Sequence, residues 1–290
     1  MMEEIVYLNG ELVPRSKAQI SAFDYGFLYG YGLFETMRAY SGRIFRLEQH
    51  LDRLCCSAKV LGLDLESIDY DLGKAVYDTL RANELADARV RLTVSGGEGD
   101  ASPDLSGSTG LTALVVARSN VAPSPQRGLT ATVSPIRRNS HSPLSRLKSL
   151  NYLDNLLARR MARLAGADDA LLLNEEGFVA EASTCNVFLV SRGTLITPDE
   201  ESGILPGITR RAVMELAVKL GVKVKEAKVT LEELLKAEEA FLTNSLIEVA
   251  PLLMVDSQKI GSGSAGRITK KFMRAYTEMV QAETREQKST

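Results

Sequence analysis

The chain has 290 residues, of which 44% are hydrophobic and 25% charged, and its formal net charge at pH 7 is -2. This length allows two domains with sizeable cores, and the near-neutral charge excludes a broad basic face for nucleic acid. Three cysteines and two histidines argue against a disulfide framework or a metal site, and no apolar run reaches the roughly 20 residues that span a bilayer.

The first half of the chain shows strand and helix signals in alternation. It starts Met-Met-Glu-Glu, without the layout of a signal peptide, so a cytoplasmic location is expected. Residues 5 to 13 predict a hairpin that turns at Asn9-Gly10, since this dipeptide accepts positive φ. Periodicity predicts a strand over 34 to 39, a helix from Leu47 to near Gly62, a helix over 71 to 84 and strands over 88 to 95 and 111 to 117. The stretch 119–128 lacks any apolar period, and we interpret it as a linker between domains 1–118 and 129–290.

The second half predicts a compact β region with helices around it. A strand over 129 to 135 and a basic loop precede Lys148, and a helix begins near Asn151. Four strands follow between 169 and 197, and helices are predicted over 208 to 220, 231 to 237 and 267 to 283. The helix from Asn151 stops at Gly166 and carries long apolar side chains on one face: Leu153, Leu156, Leu157, Met161 and Leu164. The pattern indicates an α+β protein of two domains.

Three features of this half indicate a possible catalytic or cofactor site. Taken alone, Lys148 is either a solvated surface lysine or an amine kept uncharged between a cationic loop and an apolar helix. Glu181 is a lone carboxylate among apolar strand residues, and therefore faces solvent at a strand end or has a partner inside. Pro206 and Gly207 open either an ordinary helix or one whose first N–H groups bind a phosphate. An amine, a carboxylate and an anion site are what pyridoxal phosphate requires.

Together these segments resemble the class IV pyridoxal-phosphate aminotransferases, and the likeness covers nearly the whole chain. Residues 29 to 38 look like the substrate-side strand of that family, and His50 to Leu54 like its phosphate-arginine helix. The resemblance implies fold type IV, with a small N-terminal α/β domain and a larger β-barrel-like C-terminal domain surrounded by helices. The residues that match the family signature are Glu181, Ser183, Asn186, Val187, Phe188, Thr197, Leu205, Gly207, Ile208 and Arg210.

The resemblance also implies roles around pyridoxal 5'-phosphate as the cofactor. Lys148 is then the Schiff-base lysine and the proton carrier. Glu181 is implied to hold the pyridine nitrogen in its protonated form, and Tyr152 to lie near the phenolic oxygen. The residues implied to hold the phosphate are Arg53, Ile208, Thr209, Asn244 and Ser245.

The family likeness is weakest at the substrate. Arg89 stands where branched-chain enzymes have a tyrosine, and Thr36 stands where they have a glycine. Arg89 could bind a second carboxylate or be a surface charge. The residues implied to face substrate are Tyr29, Phe34, Thr36, Arg38, Arg89, Arg91 and Leu246.

The preferred interpretation is transamination of branched-chain L-amino acids with 2-oxoglutarate as acceptor. The alternatives within the family are a D-amino acid aminotransferase, an aminodeoxychorismate lyase and an (R)-amine transaminase that acts on simple amines. A nucleotide-binding module is disfavoured because the glycines at 26 to 32 and 261 to 266 lack the required strand–helix context. The implied partners are the small substrates and a second copy of the chain in a homodimer or higher assembly, without a metal, nucleic acid or membrane.

Overall fold

The structure is a computed structural model that describes residues 3–105, 108, 110–119 and 127–285. Its chain divides into two units. Unit 1 comprises Met1–Val121, Leu147–Asn151 and Glu283–Thr290, and unit 2 comprises Ala122–Arg146 and Tyr152–Ala282. The domain bounds 1–118 and 129–290 stay a prediction, and residues 120–126 of the predicted linker lie outside the described residues.

Unit 1 is built on a six-stranded antiparallel sheet in the order β2-β1-β6-β5-β3-β4. Asn9 and Gly10 have φ values of 47° and 96° and connect the first two strands, which confirms the predicted hairpin. Helices pack on one face of the sheet. The elements are β1 (Ile5–Leu8), β2 (Glu11–Pro14), α1 (Tyr25–Tyr29), β3 (Gly32–Tyr40), β4 (Arg43–Ile44), α2 (Leu47–Leu61), α3 (Leu72–Ala82), β5 (Ala88–Ser95) and β6 (Thr112–Ser119).

Alternation along β3 and β5 decides which side chains of unit 1 reach its core. Leu33 and Met37 on β3 and Leu92 on β5 are fully buried, and they pack with Leu54 of α2. Phe34, Thr36 and Arg38 of β3 lie on the opposite face of the sheet, because the side-chain period of a strand is two. Helix α2 ends where Gly62 adopts a φ of 73°, as the sequence predicted.

Unit 2 is built on a nine-stranded mixed sheet in the order β12-β11-β10-β13-β14-β7-β8-β9, with β15 paired to β14. Its parallel pairs are β11–β12, β14–β7 and β7–β8. No helix of the described ranges is long and apolar enough to cross a membrane. The elements are β7 (Leu129–Val133), α4 (Leu153–Leu164), β8 (Asp169–Leu173), β9 (Val179–Ala182), β10 (Asn186–Ser191), β11 (Thr194–Pro198), α5 (Ile208–Lys219), β12 (Val224–Ala227), α6 (Leu231–Leu235), β13 (Glu239–Asn244), β14 (Glu248–Val255), β15 (Gln258–Lys259) and α7 (Arg267–Arg285).

Strands β8, β9, β10 and β13 of unit 2 are buried on both faces and form its core. Strands β8 and β9 have no exposed residue. Phe188 of β10 stacks on Phe241 of β13 with 5.0 Å between ring centroids, and Phe272 of α7 stacks on Phe241 at 5.9 Å. These three rings attach α7 to the sheet through apolar contact area.

Helix α4 turns its small residues towards the sheet. Ala158 and Ala162 are buried and pack with Ala170 and Leu172 of β8. The long apolar side chains of its predicted face are exposed on this chain, with exposed fractions of 39% to 79%: Leu153, Leu156, Leu157, Met161 and Leu164. The pattern therefore identified the apolar stripe correctly, but the stripe lies outside the core of unit 2.

Candidate active site

Lys148 is held in unit 1 by backbone pairing with the first residues of β3. The Phe34 N–H donates to the Lys148 carbonyl at 2.8 Å, and the Leu150 N–H donates to the Gly32 carbonyl at 2.9 Å. The half-buried Lys148 side chain places its Nζ 4.6 Å from the centroid of the Phe34 ring. The Lys148 side chain thus extends from a backbone segment that is hydrogen-bonded to the sheet.

Five of the side chains predicted to face substrate lie on one face of the unit 1 sheet: Phe34, Thr36, Arg38, Arg89 and Arg91. Thr36 is opposite Arg91, and Arg38 is opposite Arg89, in the register of β3 and β5. The Arg91 guanidinium lies 3.8 Å from the centroid of the Phe34 ring, and Arg91 is half-buried whereas Arg89 is exposed. This face combines cations with an aromatic ring, which suits a carboxylate next to an apolar group.

The opposite face of β3 carries a buried ionic cluster. Glu35 accepts two hydrogen bonds from Arg53, from Nε at 2.8 Å and Nη2 at 2.6 Å, and its Oε2 lies 2.7 Å from Nδ1 of His50. Burial raises the pKa of Glu35, but the charge of Arg53 and the contacts with His50 outweigh it and lower the pKa to about 2. Glu35 is therefore ionised. Sequence reasoning missed both Glu35 and His50 as possible site residues.

Glu181 in unit 2 is a buried carboxylate whose partners include a guanidinium, an amide and a backbone N–H. Its Oε1 lies 3.2 Å from Nη2 of Arg138, and its Oε2 accepts from the Leu205 N–H at 3.0 Å and from Nδ2 of Asn186 at 3.3 Å. Asn186 also donates to the Leu205 carbonyl at 2.8 Å. These contacts favour the charged form of Glu181, and they confirm the second alternative from the sequence, a partnered carboxylate inside the protein.

Arg138 is the residue of this group that sequence reasoning did not assign. Besides Glu181, its guanidinium donates to the Gly203 carbonyl at 3.0 Å, to Oδ1 of Asn155 at 3.1 Å and to the Ser145 carbonyl. The sequence places it beside Arg137 in a basic loop, and no local pattern distinguishes the two arginines. Arg137 is exposed.

Tyr152 precedes α4 and lies in the same group of contacts. Its hydroxyl donates to the Ser183 carbonyl at 3.0 Å, and Nδ2 of Asn155 donates to the same carbonyl at 2.8 Å. Burial, followed by the nearby charge of Glu181, raises the pKa of Tyr152. Its hydroxyl is therefore a hydrogen-bond donor at neutral pH.

The N-terminus of α5 has the features of an anion site. Gly207 caps this helix without a side-chain hydrogen bond, and the first turn contains no acidic residue. Ile208 and Thr209 are buried. A Cβ at Gly207 would lie 2.0 Å from Oδ1 of Asn186, so the helix entry leaves no room for a larger residue. Backbone N–H groups at the positive end of a helix dipole suit a phosphate.

The turn between β13 and β14 holds the other residues predicted for the phosphate. Nδ2 of Asn244 donates to the Thr184 carbonyl and lies near Sγ of Cys185, each at 3.1 Å, and its Oδ1 accepts from the N–H groups of Leu246 and Ile247. The Asn244 side chain thus fixes the shape of the turn. Ser245 and Leu246 are half-buried within it.

Tyr29 is the last residue of α1 and is 41% exposed, and its hydroxyl donates to the Ala101 carbonyl.

The predicted site residues are divided between the two units. Unit 1 holds Lys148, Arg53 and the cationic sheet face, and unit 2 holds Tyr152, Glu181 and the two phosphate segments. Over the described parts of the chain, no group of three His, Cys, Asp or Glu residues could hold a metal ion. An amine, a held carboxylate, an arginine and a helix N-terminus fit pyridoxal phosphate by their chemistry.

Comparison with known proteins identifies the family to which the chain belongs. The family model for amino-transferase class IV matches residues 32–255. A protein of Methanocaldococcus jannaschii, provisionally named a branched-chain-amino-acid aminotransferase, is 39% identical over 275 residues, which are 94% of this chain and 96% of its own. The aminodeoxychorismate lyase of Bacillus subtilis is 35% identical over 90% of this chain and 89% of its own. The D-alanine aminotransferase of Bacillus licheniformis is 32% identical over 96% of this chain and 98% of its own.

A solved structure shows the same fold. The branched-chain amino acid aminotransferase of T.th., complexed with N-(5'-phosphopyridoxyl)-L-glutamate, aligns with a TM-score of 0.90 at 31% identity over 99% of this chain and 97% of its own. The fold is thus that of a fold type IV pyridoxal-phosphate enzyme, as the resemblance implied. The chain belongs to the class IV aminotransferase family.

Proposed function

We propose that this aminotransferase moves the amino group of branched-chain L-amino acids to 2-oxoglutarate, with pyridoxal 5'-phosphate as its cofactor. The observation that carries the proposal is Glu181, a buried carboxylate bound by a guanidinium, an amide and a backbone N–H. A carboxylate held ionised in this way can keep a pyridine nitrogen protonated. Relatives whose names state a branched-chain aminotransferase, and a neighbour with phosphopyridoxyl-glutamate, support the same reaction.

The proposed mechanism assigns one task to each group. Bound pyridoxal phosphate supplies an electron sink for the negative charge that develops at the substrate Cα. Lys148 would hold the cofactor through its amine and, as a free amine, would move a proton between the substrate Cα and C4′. Glu181 would hold the proton of the pyridine nitrogen, and the Tyr152 hydroxyl, which donates to the Ser183 carbonyl, would lie near the phenolic oxygen.

The phosphate is proposed to bind Arg53, the N–H groups of Ile208 and Thr209, and the turn of Asn244 and Ser245. Arg53 offers a planar guanidinium that matches phosphate oxygens in pairs. The uncapped start of α5 offers backbone donors. Since the Asn244 side chain is bonded within the protein, we assign to it the shaping of the turn.

The cationic face of the unit 1 sheet supports the proposed acceptor. Arg91 is half-buried against Phe34, so it can hold a carboxylate while the ring contacts an apolar side chain. Arg38 and Arg89 add positive charge at the adjacent register position. We propose that Thr36, Tyr29 and Leu246 complete the substrate surface.

Departures from the branched-chain pattern support a second candidate on the same scaffold. Arg89 and Thr36 replace a tyrosine and a glycine, and relatives named as a lyase and as a D-alanine aminotransferase align over nearly all of the chain. Cleavage of aminodeoxychorismate, or transamination of D-amino acids or simple amines, would use the same Lys148 and Glu181. Only the substrate surface would differ.

Loss of the visible absorbance of the cofactor-loaded enzyme tests the proposed function. L-leucine, D-alanine, a simple primary amine and aminodeoxychorismate are each added alone, without a keto acid. L-leucine should bleach the band, and 2-oxoglutarate should then restore it. The Lys148→Ala protein should lack the wild-type band while still binding the cofactor. Bleaching by D-alanine but not by L-leucine would contradict the substrate, and a wild-type protein that takes up no pyridoxal phosphate would contradict the enzyme.

We also propose that the enzyme is a cytoplasmic homodimer. Its three cysteines are free thiols, as expected in a reducing compartment. The exposed apolar stripe of α4 supports self-association, because contiguous apolar surface of this kind marks contact sites in proteins.

A further inference from the structure

We propose that Glu35 and His50 are positioning residues for Arg53 and that they set the affinity of the enzyme for the phosphate of its cofactor. This role rests on the proposed function, in which Arg53 binds that phosphate. All three side chains lie in unit 1, Glu35 on β3 and the other two on α2.

Glu35 fixes the plane of the Arg53 guanidinium. It accepts from Nε at 2.8 Å and from Nη2 at 2.6 Å, so one whole edge of the guanidinium is bound. Two parallel bonds to a planar group prevent its rotation. The direction of the Nη1 edge is therefore set by Glu35 and not by the flexible arginine side chain.

His50 fixes the carboxylate in turn. It lies one helical turn before Arg53, is 1% exposed, and approaches the Glu35 oxygen that also accepts from Nη2 of Arg53. An ionised carboxylate only accepts hydrogen bonds, so Nδ1 of His50 carries the hydrogen. Burial lowers the pKa of His50 and keeps the ring neutral, although Glu35 acts in the opposite direction. His50 is thus a neutral donor.

Stability alone does not account for this cluster. Burying a carboxylate, a guanidinium and an imidazole has a large desolvation cost, and apolar side chains of similar volume are usually as stabilising. Glu35 also offsets part of the positive charge of Arg53, which weakens its long-range attraction for phosphate. The cluster is explained if a fixed guanidinium direction contributes more to phosphate binding than the charge that is lost.

The test uses two ligands to distinguish a loss of phosphate binding from a general loss of cofactor binding. Cofactor-free wild-type, His50→Asn, His50→Gln and Glu35→Gln proteins are titrated with pyridoxal phosphate and with pyridoxal, which lacks the phosphate, and the visible band is followed. The amide nitrogen of an asparagine can replace Nδ1 of His50, whereas that of a glutamine falls near Nε2. The His50 variants are thus a matched pair.

His50→Gln and Glu35→Gln should raise the Kd for pyridoxal phosphate about tenfold, as when a residue that orients a ligand-binding side chain is lost. Their Kd for pyridoxal should stay within about twofold of wild type, because this ligand has no phosphate for Arg53 to bind. The Kd of His50→Asn for pyridoxal phosphate should stay within about threefold of wild type, because the asparagine keeps the donor to Glu35. Equal weakening for both ligands, or an asparagine variant as weak as the glutamine one, would overturn the role. If Glu35→Gln does not fold, the His50 pair decides alone. A wild-type protein without a band for either ligand overturns the proposed function itself, whereas normal binding by every variant overturns only the positioning role.

Discussion

At the scale of single residues, Arg138 is expected to control the charge of Glu181. Replacing it with methionine keeps much of the volume but leaves the buried carboxylate without its cation. We expect Arg138→Met to lower the free energy of unfolding by about 3 kcal/mol, as when one partner of a buried ion pair is removed. The pH at which the visible band of the loaded enzyme changes should also shift, because a less ionised Glu181 holds the pyridine proton less firmly. Urea unfolding and a pH titration of that band measure the two effects.

Arg137→Met is the matched control, since this neighbouring arginine is exposed. It removes the same charge from the sequence and should leave both the unfolding free energy and the band unchanged. Identical titrations for the two variants would show that Arg138 has no special influence on Glu181.

The two buried glutamates show what the sequence neighbours of a residue can predict about its surroundings. Glu181 was identified because a carboxylate among apolar strand residues requires a partner, and the structure supplies one. Glu35 stands in a similar setting, between Leu33 and Met37, and the same reasoning predicts that it has a partner inside the protein. The identity of the partners was beyond reach, because Arg138 is 43 residues before Glu181 and one of several arginines in its loop.

At the scale of elements, the entry to α5 is expected to tolerate no side chain at Gly207. The Cβ of an alanine would lie 2.0 Å from Oδ1 of Asn186, which must then move away from Glu181 and the Leu205 carbonyl. We expect Gly207→Ala to cost about 1 to 3 kcal/mol of stability, as in other overpacked sites. The affinity for pyridoxal phosphate should fall with it. Urea unfolding and titration of the cofactor-free protein measure both.

Thr230→Ala provides a control at another helix start. Thr230 caps α6 through a capping box, so its loss should cost about 1 kcal/mol of stability and leave cofactor affinity unchanged. If the affinity for pyridoxal phosphate changes equally in both variants, that affinity depends on the overall stability of the protein. It would then say nothing specific about the start of α5.

Element types were predictable where local chemistry decides them. The Asn9-Gly10 hairpin, the end of α2 at Gly62 and the start of α5 after Gly207 follow from backbone preferences that the sequence displays. The direction that α4 faces does not follow in this way. A stripe of leucines indicates an amphipathic helix, but periodicity cannot distinguish a core from a surface that another chain covers. In α4 the buried side is the alanine side.

At the scale of the whole molecule, the exposed stripe of α4 is expected to stabilise the proposed homodimer. Stable interfaces bury about 800 Å² on each partner and are most apolar at their centre, so a charge placed there is costly. Leu156→Glu and Leu164→Glu should therefore reduce the mass in solution from twice the 31.6 kDa of the chain to that of one chain. Sedimentation equilibrium measures this directly.

Leu12→Glu is the matched control, because Leu12 is an exposed leucine of unit 1 with an exposed fraction of 45%. It adds the same charge and should leave the mass unchanged. If the α4 variants keep the wild-type mass, the stripe is not the contact between copies. If the wild-type protein already sediments as one chain, the proposed dimer itself is wrong. A monomeric Leu156→Glu protein that still binds pyridoxal phosphate would further show that cofactor binding requires only the groups of a single chain, since Lys148, Arg53 and Glu181 all belong to it.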